Sequence, residues 1–345
     1  MLLPNLRKVT PVKRMYPPWT TITEASQIIR EGGIVAIPTE TVYGLAANAL
    51  NALAVAKIFA AKERPTFDPL IVHIASASNL PEAAESIPEN AWILAEKFMP
   101  GPLTLVLPKR KKIPDLVTSS LPTVGIRVPD HPIAREIIRE AGVPLAAPSA
   151  NLFQRVSPTT ALHVAEQLGE RIDGIVDGGQ SRIGLESTII AFPEGKNPLL
   201  LRPGAITLEM LRETIGDIDV NMSSSEPGKA LPAPGMVDKH YQPATPLYYG
   251  AVPETATLPP KTLHLAFGKI SEDERFTKTL NLSADGNLLE ATANLYSFIR
   301  KLDRLGGDLI VVDPVPENGI GMAVNDRLKR ASLKYFPEPN ATERR

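Results

Sequence analysis

The chain has 345 residues, no cysteine, and a formal net charge of −1 from 37 Lys and Arg against 38 Asp and Glu. That balance excludes a global electrostatic pull on nucleic acid, and the missing thiols exclude disulfides, thiolate metal sites and cysteine nucleophiles. Hydrophobic residues make up 43%, a normal load for a buried core, and the 34 prolines begin or end many elements. No run approaches the roughly 18 apolar residues of a membrane span. The start, Met1 to Lys8, is too short and too soon charged for a signal peptide. The expected location is the cytoplasm, away from membranes.

Residues 1–19 carry four prolines and no period, and are expected to be a tail or an extended strand. Thr21-Ile22-Thr23-Glu24 has capping-box spacing, and Ile22, Ala25, Ile28 and Ile29 line one face of the helix that follows, which Gly32-Gly33 ends. A strand at Ile34–Ile37 leads into Pro38-Thr39-Glu40-Thr41-Val42-Tyr43-Gly44, followed by an alanine-rich stretch that reads as helical. On that reading two hydroxyls, a carboxylate and a phenol sit on a strand-to-helix turn, where open α/β sheets favour ligand sites. A second helix is expected from Asn51 to Lys62, stopping before Pro65, then a strand at Leu70–Ile74. Next come a helix at Ala91–Phe98, strands at Leu103–Leu107 and Val124–Val128, a helix at Pro132–Ala141 and an extended piece at Leu145–Ala147. A helix at Thr160–Leu168, strands at Gly174–Asp177, Ser187–Phe192 and Leu199–Arg202, and a helix at Leu208–Ile215 close the first part. Strands and helices mix without strict βαβ order, which argues for a partly antiparallel α/β sheet.

Ser, Pro, Gly and Ala dominate Asn221–Gly235, the composition of a linker. Beyond it, strands at Thr262–Ala266 and Leu309–Val312 and helices at Leu288–Leu305 and Met322–Leu333 make a small α/β unit. The expected division is residues 1–218 for a catalytic domain, 219–247 for an interdomain linker and 248–345 for a small C-terminal domain.

No phosphate loop of the G-x-x-x-x-G-K-[ST] kind, no G-x-S-x-G elbow and no H-E-x-x-H occurs, and the five histidines stand at no ligand spacing. No metal ligands are expected. Lys62-Glu63-Arg64-Pro65 ends the second helix, and Pro65 pushes Arg64 out of the α region, so the turn can aim both cations at one point. In Pro148-Ser149-Ala150-Asn151 an extended backbone would project Ser149 and Asn151 to one side, a hydroxyl and an amide fit for phosphate oxygens or an amino-acid head group. His73, on a strand among Ile71, Val72 and Ile74, reads more readily as a satisfied core histidine than as a ligand, while Thr123, Arg127, Ser157, Ser187 and Arg202 are cations and hydroxyls at strand ends, weak singly but a set that a curved sheet could gather. Without a phosphate loop a triphosphate needs such a set, with Mg²⁺ bridging its oxygens. No nucleophile has a base beside it, so direct transfer by positioning is the economical chemistry.

Together the Pro-Thr-Glu-Thr-Val-Tyr-Gly segment, the pair Lys62 and Arg64, and the pair Ser149 and Asn151 resemble the threonylcarbamoyl-AMP synthases, in the two-domain form with a YrdC-like catalytic domain. The resemblance runs from about Thr20 to Leu333. Pro234-Gly235-Met236 with His240-Tyr241 is similar to the family's interdomain loop, and Asn325-Asp326-Arg327-Leu328-Lys329-Arg330-Ala331 to the end of its second domain. It implies a YrdC-like twisted mixed sheet flanked by helices, plus a small Rossmann-like α/β C-terminal domain. The implied reaction condenses L-threonine, bicarbonate and ATP, the last with Mg²⁺, into threonylcarbamoyl-AMP and pyrophosphate. A tRNA threonylcarbamoyltransferase complex would then take the product to adenosine 37 of tRNA.

The same resemblance places L-threonine near Thr41, His73, Arg127, Ala147 and Ser187. It places ATP near Arg64, Asp68, Thr123, Ser149, Asn151, Ser157, Arg202 and His240, with Lys62 and Arg64 as the catalytic pair. Arg127 suits a carboxylate as a bidentate partner. Asp68 stands where relatives are expected to carry a neutral or basic residue, and a carboxylate there needs Mg²⁺ or Arg64 beside it. Glu40 and Tyr43 are expected only to shape the turn. The alternative is an RNA-binding module of YrdC type. Near-zero charge and 5% aromatic residues weigh against it, so weak or no direct tRNA binding is expected. A carbamoyl-adenylate enzyme of hydrogenase maturation shares the domain but also carries cysteine zinc fingers, which this chain lacks.

Overall fold

Helix α1 (Ile22–Arg30) begins at a closed capping box: the Thr21 hydroxyl accepts from the Glu24 N–H, and the Glu24 carboxylate accepts from the Thr21 N–H. The computed structural model describes residues 18–221, 231, 239–253, 255–270 and 273–333. Most of the N-terminal tail, most of Asn221–Gly235 and the Pro234-Gly235-Met236 motif lie outside the described residues.

After α1 come β1 (Val35–Ile37), β2 (Gly44–Asn48), α2 (Ala52–Lys62), β3 (Ile71–His73), α3 (Leu80–Ala83), α4 (Glu89–Phe98), β4 (Leu103–Pro108) and α5 (Asp115–Thr118). They are followed by β5 (Thr123–Arg127), α6 (Pro132–Ala141), β6 (Leu145–Ala146), α7 (Ala161–Leu168), β7 (Gly174–Ile175), β8 (Thr188–Ala191), β9 (Leu199–Arg202), α8 (Leu208–Ile215) and β10 (Asp219–Val220). These strands form one ten-stranded sheet in the order β10-β9-β8-β4-β5-β3-β6-β2-β1-β7. Pairs such as β3–β5 and β4–β8 are parallel, while β1–β2, β2–β6 and β4–β5 are antiparallel, so the sheet is mixed. Helices cover both faces: α1 and α6 bury Ala25, Ile29, Ala134 and Ile137 in one cluster, and α2, α4 and α7 bury Ile58, Leu94 and Val164 in another.

The first motif is corrected by this topology. Leu45-Ala46-Ala47 is not the start of a helix but strand β2, paired with β1 at Ala36↔Leu45 and with β6 at Ala47↔Ala146. Alanine's helix propensity is a weak prior, and here β pairing with both faces buried overrides it. The Pro38–Gly44 segment is therefore the tip of a β-hairpin.

The second sheet holds β11 (Leu247–Tyr249), β12 (Thr262–Ala266), β13 (Lys278–Asn281) and β14 (Leu309–Val312) in the order β11-β14-β12-β13, all parallel. Helices α9 (Leu288–Asp303) and α10 (Gly321–Ala331) complete it. β10 and the first residue of β11 fall within the stretch expected to be linker: β10 is a two-residue exposed edge pairing with β9, too short to leave a pattern. The cluster under the second sheet is shared. Val42, Val156 and Leu185 of the first part pack with Leu295, Tyr296, Val324 and Leu328 of the second.

Candidate active site

The hairpin tip is organised by Thr39. Its hydroxyl donates to the Val42 carbonyl at 2.6 Å and accepts from the Thr41 and Val42 N–H groups. Its single proton is thus committed, so in the 2.8 Å Thr39–Thr41 hydroxyl contact Thr41 is the donor. Thr41 also accepts from Arg127 Nη1 at 2.9 Å and presents its remaining lone pair to the cleft. The other terminal nitrogen of Arg127, Nη2, donates to Glu40 Oε1 at 2.6 Å, and Nε donates to the Gly101 carbonyl at 3.2 Å. Arg127 therefore enters the cleft already paired, with three of its five N–H groups engaged. Glu40 has more than a turn-shaping part: both partners of its ion pair with Arg127 are buried. Tyr43 does shape the turn, its hydroxyl donating to the Gly179 carbonyl and accepting from the Gly178 N–H.

Helix α2 ends at Glu63, which takes the left-handed conformation (φ 55°). The chain reversal that separates Lys62 from Arg64 is made there, as a C-cap, and not at Arg64 through Pro65. Lys62 Nζ donates to the Ser149 and Asn151 carbonyls, fastening that loop to the helix end. Burial, with Arg64 beside it, holds the ammonium well below the usual lysine range, offset in part by Asp68. Arg64 donates to the carbonyls of Asp68 and Pro69, and its Nη2 lies 2.9 Å from Asp68 Oδ2. The guanidinium thus stands between this carboxylate and the cleft as position 68 requires. The Ser149 loop is also sewn to the hairpin: Leu45 donates to the Pro148 carbonyl and Ala150 to the Tyr43 carbonyl. Ser149 faces the cleft, but Asn151 does not; its amide N–H₂ donates to the Leu152 and Arg155 carbonyls as the loop turns.

The opposite wall starts at Glu186. Its Oε1 accepts from the Ser157 hydroxyl at 2.6 Å, and its Oε2 accepts from the Tyr296 hydroxyl at 2.9 Å and from Arg327 Nε at 3.0 Å. Burial pushes this carboxyl up, but Arg327, Arg202 and the Ser157 hydroxyl outweigh it and hold the pKa at about 2. An ionised carboxylate only accepts, so the Ser157 proton is spent on Glu186 and Ser157 has none to give a phosphate. Ser187 packs its hydroxyl 2.7 Å from that of Thr104 and accepts from Arg202. Gly204 lets the turn after Arg202 lie against β8, where an added Cβ would be 2.4 Å from the Thr188 nitrogen.

Between these walls lies a partly open cleft. Among the expected residues, Thr41, His73, Arg127, Ala147 and Ser187 line it, as do Arg64, Ser149, Arg202 and His240. Lys62, Asp68, Asn151 and Ser157 stand directly behind that lining through the contacts above. Thr123 begins β5, four residues and roughly 13 Å along the strand from Arg127, and does not line the cleft.

Burial pushes the His73 imidazole down to about 3, with Arg127 acting the same way. His240 is likewise pushed down to about 3 by burial, opposed by Glu186 and assisted by Arg64, Lys62 and Arg202. Both rings are neutral at physiological pH. His240 and Tyr241 line the cleft, and His240 Nδ1 and the Tyr241 hydroxyl are buried without a hydrogen-bond partner among the described residues. Tyr241 holds φ at +64°, a strained conformation for a tyrosine, stacked on Tyr296 with centroids 5.6 Å apart. The residues missed by sequence reasoning are Glu40, Glu186, Tyr296 and Arg327. A signal existed for Glu40 and Glu186, since each is an acid flanked by apolar or hydroxyl residues and so needs a cation, but nothing in the chain said which.

Residues 27–204 match the Sua5/YciO/YrdC family, described as "Telomere recombination", and residues 206–332 match the C-terminal domain of threonylcarbamoyl-AMP synthase. A threonylcarbamoyl-AMP synthase of Pyrococcus abyssi is 43% identical over 320 residues, covering 89% of this chain and 93% of the relative. Its Bacillus subtilis counterpart is 42% identical over 328 residues, covering 90% and 92%. The crystal structure of P. abyssi Sua5 complexed with L-threonine superposes with a TM-score of 0.82 at 42% identity, covering 90% of this chain and 94% of that one. With both family domains in order and a cleft between paired walls, the chain belongs to the threonylcarbamoyl-AMP synthase family, in its two-domain form.

Proposed function

We propose that the protein condenses L-threonine, bicarbonate and ATP into L-threonylcarbamoyl-AMP, releasing pyrophosphate. The observation that carries this is the convergence of three guanidiniums, those of Arg64, Arg127 and Arg202, on one cleft with the hydroxyls of Thr41, Ser149 and Ser187. One end suits a small hydroxyl-bearing amino acid. The Thr41 lone pair, Ser187 and the neutral His73 can pair with its polar groups, and Arg127 has N–H groups left for its carboxylate. The L-threonine complex of the P. abyssi relative supports that assignment. The other end, with Arg64, Ser149, Arg202 and His240, suits a nucleotide, Arg64 offsetting charge as the triphosphate reacts.

The chemistry follows from the product. The threonine amine and bicarbonate give a carbamate with loss of water; a carbamate oxygen then attacks the α-phosphorus and pyrophosphate leaves. No protein nucleophile is needed, and positioning in one cleft supplies the rate. Mg²⁺ would enter on the ATP phosphates as part of the substrate, bridging their oxygens. Lys62 acts by holding the Ser149 loop, and Asp68, Asn151 and Ser157 by supporting the lining; Thr123 has no direct contact to offer. Residues 1–218 carry most of the site, 219–247 join it to residues 248–345 and add His240 and Tyr241 to the lining, and residues 248–345 buttress one wall. The adenylate would pass to a separate tRNA threonylcarbamoyltransferase complex in the cytoplasm. The test is isotopic: with ¹³C-bicarbonate, mass spectrometry should find AMP joined to threonine through one labelled carbon. A product without the label, or AMP joined directly to the threonine carboxylate, would overturn the reading.

A further inference from the structure

Three pieces of the nucleotide wall meet one side chain that belongs to the second domain and does not itself line the cleft. Arg327 on α10 is fully buried. Its Nε donates to Glu186 Oε2 at 3.0 Å, and its Nη2 donates to the Pro203 carbonyl, the residue after Arg202, at 3.0 Å. Its guanidinium carbon lies 5.5 Å from the centroid of the Tyr241 ring. Tyr296 on α9 adds a second hold on the same carboxylate and the stacking surface for Tyr241. Asp326 fixes Arg327 from behind, Nη1 to Oδ2 at 2.6 Å.

A plain docking interface does not call for this arrangement. The surrounding contact is largely apolar, through Val42, Val156 and Leu185, with Arg300 of α9 donating to the Val156 carbonyl. A buried ion pair inside such a contact seldom beats well-packed hydrophobic residues for stability. Glu186, moreover, lines a cleft read as an anion site, where an uncompensated carboxylate would repel a triphosphate. Arg327 cancels that charge while leaving Glu186 in place to hold the Ser157 hydroxyl. The exposed Arg304–Glu166 pair also joins the two parts of the chain but touches none of this wall.

We propose that Arg327, supported by Tyr296, is a positioning residue through which the second domain sets the nucleotide end of the cleft, by holding Glu186, the Pro203 carbonyl and the Tyr241 ring. The inference rests on that end taking ATP. Its test uses the full chain and the ATP analogue AMP-PNP with Mg²⁺, titrated without threonine or bicarbonate so that no transfer at the α-phosphorus can occur, measured by calorimetry, alongside KM for ATP and for L-threonine. Arg327→Met should weaken AMP-PNP binding and raise KM for ATP at least about tenfold, as expected when one partner of a buried charge pair is removed, and leave KM for threonine within about twofold. Tyr296→Phe keeps the ring and loses one hydrogen bond to a charged group, so about a fivefold weakening is expected.

Because Arg327→Met removes the ion-pair partner of the buried Glu186 carboxylate, the double variant Glu186→Gln with Arg327→Met separates folding from positioning. It should regain thermal stability without regaining nucleotide affinity. Arg304→Ala should change neither. Wild-type AMP-PNP affinity in Tyr296→Phe, or in the double variant, would overturn the proposal. Wild-type protein that binds AMP-PNP but forms no threonylcarbamoyl-AMP would instead refute the reaction assigned above, and the nucleotide titrations would still decide the role of Arg327.

Discussion

The two ends of the cleft are built differently. The threonine end is made within the first domain, by a hairpin tip whose hydroxyls and backbone satisfy one another and by one buried pair, Arg127 with Glu40. The nucleotide end is assembled from distant parts: Arg64 after α2, Ser149 in its loop, Arg202 at the end of β9, and His240 and Tyr241 within the linker, braced by Arg327 and Tyr296. The first can form as soon as its sheet forms. The second is complete only when the two domains are docked. Mutations at one end should therefore read out as local substrate effects, and at the other as effects that cross the domain boundary.

The largest expected effect breaks the nucleotide end directly. Arg64→Ala should lower turnover by about 100-fold or more, the scale of losing one preorganised donor at developing charge, in a pyrophosphate-release assay. At the threonine end, Glu40→Ala leaves Arg127 buried without its carboxylate and should cost about 3–5 kcal/mol in urea unfolding, while Glu40→Gln should cost less. Retained stability in Glu40→Ala would mean the pair is not what holds the tip.

Acid should weaken the fold in two stages. His73 and His240 have folded pKa values of about 3, well below the imidazole value of 6.5. The unfolded chain thus binds protons that the folded chain cannot, and stability present above pH 6.5 is lost as pH falls toward 3. Glu186, held at about 2 against 4.5, contributes stability present above pH 4.5 that is lost as pH falls toward 2. Calorimetric unfolding across pH 7 to 4 should show a falling midpoint, with the slope reduced in His73→Gln. A flat midpoint would put those rings in contact with water. The smallest effect is at the surface, where Arg139→Ala, which removes an exposed pair with Glu136, should stay within about 0.5 kcal/mol.

What could be read in advance follows the same division. The capping box at Thr21 and the strand expected at Leu70–Ile74, which forms as Ile71–His73, were visible because each is a local pattern, whereas the grouping of Thr41, His73, Arg127 and Ser187 came only from the family resemblance. Strand β2 was not, because Leu45-Ala46-Ala47 is buried on both faces and carries no alternation. The roles of Glu40 and Glu186 were hidden for another reason. Their cations, Arg127 and Arg327, lie 87 and 141 residues away, and no local rule couples positions so far apart. The K-x-R pair was seen as two cations aimed at one point. The structure separates them: Arg64 lines the cleft, and Lys62 ties down the Ser149 loop behind it.

The central claim is that one cleft joins an amino acid to a nucleotide, and one measurement tests it most directly. Pyrophosphate release from Mg-ATP should be followed with L-threonine and bicarbonate each present or withheld. The account predicts release only when both are supplied. Release that continues without threonine would contradict it.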